Sequence, residues 1–110
     1  MNGYDLDGVI TLGLRPTRDD VIITGRSWQM AGETMAMLKH LGVICQIFFS
    51  RKPLQHNTPD DIFTHKAQMI NLLRLTTYFE DNSETVDALR RACPGTVIVH
   101  IDPGYKDTPI

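Results

Sequence analysis

The sequence predicts an α/β protein: a three-layer α/β/α, Rossmann-like sandwich built on a parallel sheet of about five strands. Two observations predict it. Short apolar, β-branched runs alternate along the chain with longer stretches whose apolar residues recur three and four apart. The resulting order of strand, helix, strand, repeated, calls for parallel pairing, and right-handed crossovers then lay helices on the sheet. A chain of 110 residues suits one such domain, residues 1–110.

The elements follow in order. Tyr4-Asp5-Leu6-Asp7 is short, and its strand is placed near 3–7 by what comes after it. Val21-Ile22-Ile23-Thr24, closed by Gly25, reads as a buried strand over 21–25. Gln29 to Leu41 reads as a helix, with Met30, Thr34, Met37, Leu38 and Leu41 on one face and Gly42 as its stop. Val43 to Phe49 is the third strand. Ser50 to Thr64, polar and holding Pro53 and Pro59, reads as loop. His65 to Leu75 is the second helix, with Lys66, Met69, Ile70 and Leu73 on one face. A strand follows near 78–81, then a helix capped by Ser83 and ended by Pro94-Gly95, then a strand over 96–101. The tail from Asp102 to Ile110 reads as irregular.

Composition excludes several classes. Eleven basic against thirteen acidic residues give a net charge of −2, so no global field draws nucleic acid to the chain. Cys45 and Cys93 are too few for a disulfide framework or a cysteine metal site, and both read as buried apolar groups of a reducing compartment. The N-terminus lacks the pattern of a signal peptide, and the apolar run from Val43 to Phe49 is too short to span a bilayer. A cytoplasmic protein with no membrane partner is expected. Trp28 reads as a packing residue, and the four histidines are scattered without ligand spacing.

In parallel sheets, ligands bind at the carboxyl ends of the strands. Asp5 and Asp7 fall at the end of the first strand, two residues apart and so on one side of it. Thr24 and Gly25 end the second strand. Lys66 opens the helix leading into the fourth strand, which ends in Glu80-Asp81. Crowded carboxylates repel unless a cation lies among them. Oxygen donors without histidine or cysteine favour Mg²⁺, and Mg²⁺ beside a lysine and a hydroxyl suits a phosphoryl group. Taken singly, each feature has a plainer account: a solvated turn pair, a strand-end hydroxyl, an exposed first-turn lysine, an acidic helix cap.

The four features in order resemble the haloacid dehalogenase superfamily of aspartyl-phosphate phosphohydrolases. The first motif stands as Asp5-Leu6-Asp7-Gly8-Val9, the second as Val21-Ile22-Ile23-Thr24-Gly25-Arg26, the third as Lys66 and the fourth as Tyr78-Phe79-Glu80-Asp81-Asn82. The resemblance implies a HAD-like fold and a Mg²⁺-dependent phosphomonoesterase. Asp5 would be the nucleophile and Asp7 the general acid and base, its backbone carbonyl also on the metal. Asp81 would be the main metal carboxylate, with Asp5, and with Glu80 directly or through water. Thr24 and Lys66 would hold the phosphoryl group, with backbone amides near Leu6 and Gly25 as further donors.

The family's cap domains have no room here. About 13 residues from Gly8 to Asp20 and about 15 from Ser50 to Thr64 cannot form a separate core. An uncapped site is open and suits bulky substrates. More loosely, Thr24-Gly25-Arg26 with Thr34, Arg51 and Lys66 is similar to the 3′-phosphatase domain of phage-type polynucleotide kinases, which implies a phosphorylated nucleic-acid end or nucleotide as substrate. Arg26 and Arg51 would bind it, with Arg15, Arg18 and Lys52 in nearby loops. The competing reading keeps the fold and drops turnover, leaving a phosphate-binding or partner-binding protein.

Overall fold

A computed structural model describes residues 1–102; all but the first residue of the expected tail lies outside the described residues. Five strands form one all-parallel sheet: β1 (Asn2–Tyr4), β2 (Val21–Ser27), β3 (Gln46–Ser50), β4 (Thr77–Glu80) and β5 (Val97–His100), in the order β3-β2-β1-β4-β5. Three helices connect them: α1 (Ala31–His40), α2 (Pro59–Leu73) and α3 (Ser83–Ala92). The α/β class and the parallel sheet are those the alternation predicts. Among the described residues no helix is long and apolar enough to cross a membrane.

Side-chain alternation splits the core into two layers. Val21, Ile23, Tyr78 and Ile98 face α2 and α3, meeting Ile70, Val86, Leu89 and Cys93. Tyr4 and Ile22 face the other way, onto Leu6, Val9, Ile10 and Leu38. β1 has only three residues but is stitched in on both faces. Tyr4 stacks on Phe79 with ring centroids 4.7 Å apart. On the opposite face the Tyr78 hydroxyl donates to the Ile23 carbonyl at 2.9 Å, reaching across β1 above Gly3. A side chain at Gly3 would overlap Leu75 and Tyr78, so the residue's lack of one is what admits the tyrosine.

Several boundaries differ from expectation, and some have a plain local reason. β1 stops at Tyr4, because Asp5 caps a tight turn over Leu6–Ile10 by accepting the Leu6 N–H. β3 starts at Gln46, three residues later than the apolar run implies. α2 starts at Pro59, six residues before His65. Thr58 caps it in a reciprocal box with Asp61, and Pro59 sits in the first turn, where its missing N–H costs nothing. α3 is capped by Asn82, not Ser83. Both cysteines are free, and burial pushes both thiols up, Cys45 to about 11. Trp28, expected in the core, is 53% exposed.

Candidate active site

The strand order reverses direction between β1 and β4: the chain builds β2 and β3 on one side of β1, then crosses to build β4 and β5 on the other. The carboxyl ends of β1 and β4 are therefore the crevice where such sheets receive ligands. Asp5 follows β1 there, its N–H on the Phe79 carbonyl at 2.9 Å, and Glu80 and Asp81 leave β4 beside it. Carboxylate oxygens of Asp5, Glu80 and Asp81 lie within 4.8 Å of one another. They open into a cleft of about 550 Å³, bounded also by Asp7, Gly25, Arg26, Asn57, Ile62, Phe63 and Lys66.

Lys66 reaches this cluster from the middle of α2, not from a helix start. As the eighth residue of the helix it shares the inward face with Ile70, and its stem is buried along the core. Its Nζ donates to Glu80 Oε1 at 2.7 Å and lies 3.4 Å from Asp5 Oδ1. Glu80 is fully committed: its Oε2 accepts the N–H groups of Asp81 and Asn82 at 3.1 and 3.3 Å. Asp5 Oδ1 also accepts the Leu6 N–H at 2.9 Å, so that amide is taken by the carboxylate itself.

Electrostatics follow from this packing. Burial raises the Asp5 carboxyl, and the Glu80 charge adds to it, against the pull of Lys66; the result is about 8. Burial also opposes the ionised forms of Glu80 and Lys66. Their mutual attraction outweighs it, holding Glu80 below its usual range and Lys66 above. Burial and the Glu80 charge raise Asp81. Three carboxylates against one ammonium leave two negative charges when all are ionised. A divalent cation would balance them, and an all-oxygen donor set fits Mg²⁺.

Gly8 shapes the seat of Asp81. Its φ is +80°, and a β-carbon there would overlap the Asp81 carboxylate. The glycine thus makes the turn and clears the place where the carboxylate lies.

Asp7 departs from the alternation rule. The strand has ended, so Asp7 turns outward to the cleft mouth, its side chain 57% exposed. Arg26 grips it with two hydrogen bonds, Nε to Oδ2 at 3.0 Å and Nη2 to Oδ1 at 2.7 Å, and donates through Nη1 to Thr34 Oγ1 at 3.1 Å. Thr24 is wholly buried and does not line the cleft; its hydroxyl accepts the Arg26 N–H at 3.1 Å. Arg51 and Lys52 line a separate groove of about 820 Å³ along β3 and α2, with His65 and Phe48. Arg15 folds back onto the Ile10 and Leu14 carbonyls. Of the five basic groups expected around the site, Arg26 is the one that lines the cleft.

Sequence reading overlooked Asn57, Ile62 and Phe63, which also line the cleft. The Thr58–Asp61 capping box was the signal that would have placed Ile62 and Phe63 on a helix. Comparison with known protein families, with curated proteins and with solved structures finds no match to this chain.

Proposed function

We propose that the chain is a Mg²⁺-dependent phosphomonoesterase that works through an aspartyl-phosphate on Asp5, as its resemblance to the haloacid dehalogenase superfamily implies. The observation that carries the reading is the meeting of Asp5, Lys66, Glu80 and Asp81, far apart in sequence, at the crevice between β1 and β4. Asp5 Oδ1 accepts the Leu6 N–H and lies 3.4 Å from Lys66 Nζ; Oδ2 would attack the phosphorus, and a remaining lone pair of Oδ1 would face the cation. Attack by Oδ2 forms the acyl phosphate, and the phosphorus–oxygen bond to the leaving group breaks. Asp7, whose two oxygens accept from Arg26 in this structure, would leave that clamp to give the leaving group's oxygen its proton, then take one from the water that attacks phosphorus and frees Asp5. Lys66 holds the nucleophile and offsets phosphoryl charge, while Glu80 holds Lys66. Asp5 and Asp81 would hold Mg²⁺, which supplies charge neutralisation for the phosphoryl oxygens. Glu80, with both oxygens engaged, stands behind them.

The open mouth suits a phosphate on a bulky group. Hydrolysis of a generic aryl phosphate, with and without Mg²⁺, tests the reading, and no release above blank in either condition sinks it in favour of a binding protein. A 3′-phosphorylated oligonucleotide run beside small sugar phosphates tests the nucleic-acid substrate; a preference for the sugar phosphates ends that part.

Two expectations follow from the geometry. Asp7→Asn slows turnover by roughly 10²–10⁴-fold, the usual size of an acid–base contribution. Hydrolysis at the parental rate would take Asp7 out of the mechanism. Asp5 must also be ionised to take a cation, so Mg²⁺ affinity climbs with pH until about 8 and then levels. Each Mg²⁺ bound near neutrality displaces a proton. Titration calorimetry in two buffers of different ionisation enthalpy reads that proton as a difference in heat, and equal heats would contradict it.

A further inference from the structure

We infer that Asn57 is a positioning residue of the phosphate cradle, here the Gly25 side of the proposed site, acting through the single peptide unit between Gly25 and Arg26. The inference rests on the phosphatase reading. In a planar trans peptide the carbonyl and the N–H point in opposite directions. Here each end is held by a different side chain. Asn57 Nδ2 donates to the Gly25 carbonyl at 2.7 Å, and the Arg26 N–H donates to Thr24 Oγ1 at 3.1 Å.

The orientation of the Asn57 amide is fixed by chemistry, because only its NH₂ can satisfy a carbonyl. Its Oδ1 accepts from Ser50 Oγ at 2.8 Å, and Ser50, itself buried, accepts the Lys52 N–H at 3.3 Å. A relay from the end of β3 through Asn57 thus sets the irregular stretch of β2 between Ile23 and Ser27.

The Arg26 side chain leaves the same peptide to bind Asp7 and Thr34. Without the Asn57 donor the peptide is held at its Arg26 N–H end alone. Its carbonyl, a poor neighbour for a phosphoryl oxygen, can then swing towards the cleft that Gly25 lines. Asn57 touches no reacting atom in this scheme; it keeps the carbonyl turned away from the cleft.

Asn57→Asp is the sharpest test, since it exchanges one NH₂ for an oxygen and keeps the contact with Ser50. In the full chain with Mg²⁺, the KM for an aryl phosphate and the dissociation constant for inorganic phosphate should each rise about tenfold, with kcat within about threefold of the parent. Asn57→Asp also places a negative charge on the cleft, which by itself repels phosphate, so Ser50→Ala, which adds no charge, is measured beside it. Unchanged KM and phosphate binding in a folded Asn57→Asp protein overturn the inference. With Ser50→Ala, KM raised about twofold to fivefold supports the relay; a lowered thermal midpoint with an unchanged KM marks a merely structural bond and overturns it. A parent protein that binds no phosphate sinks the phosphatase reading and the cradle together. A parent that binds phosphate as tightly as Asn57→Asp sinks only the role of Asn57.

Discussion

With Asp5 as the nucleophile we propose, Asp5→Asn should remove turnover by roughly 10⁴-fold or more while leaving the fold intact, as loss of a covalent nucleophile does elsewhere. Asparagine is the same size, and its side-chain carbonyl can still accept the Leu6 N–H that Asp5 Oδ1 accepts. The substitution also removes a carboxylate that is 5% exposed and whose ionised form burial opposes. Without metal, the variant's thermal midpoint should therefore equal or exceed the parent's. The measurements are aryl phosphate hydrolysis and thermal unfolding in a chelator. Retained activity would remove Asp5 as the nucleophile.

Lys66→Met acts in the opposite sense, on stability first. Methionine matches the buried stem, but Glu80 at 1% exposure and Asp5 at 5% lose their cationic partner. Removing one side of a buried charge set costs about 3–5 kcal/mol. The sign of the pH dependence also follows. A carboxyl raised on folding stabilises fully below its ordinary value, and that contribution is lost as pH climbs through the raised one. In the parent, Asp5 behaves this way up to about 8, while Glu80, held low by Lys66, is ionised in both states above its ordinary value and adds no slope there. In the variant Glu80 joins Asp5, so stability should fall more steeply between about pH 5 and pH 8 than in the parent. Urea unfolding at both values measures this. Equal slopes in the two proteins would mean that Lys66 does not hold the Glu80 charge.

What the sequence made legible was local. The β-branched cores of β2 and β5 and the inward faces of the helices are written in neighbouring residues, and the structure follows them. Pro59 misled as a loop marker, although Thr58 and Asp61 around it spell a helix start. That error placed Lys66 in a first turn; the true helix buries its stem and delivers only the amine. Alternation predicts Asp5 and Asp7 on one side, but a strand that ends at Tyr4 has no alternation left to impose. Asn57 could not be found at all, because its partner carbonyl is 32 positions away. Arg51 illustrates the same boundary: the register of β3 against β2 shifts between Ile23 and Ser27, an irregularity that neighbouring residues do not spell out, and Arg51 lines the groove along β3 and α2 instead of the cleft.

The strand order makes β1 and β4 the seam of the molecule, with Asp5 on one margin and Asp81 on the other. A cation shared by the two would act as a staple through the middle of the sheet, not as an ornament on its rim. Binding to the folded chain alone adds about 2.7 kcal/mol at a hundred times the dissociation constant. Melting temperature then becomes a gauge of occupancy for the whole domain, readable before any substrate is known.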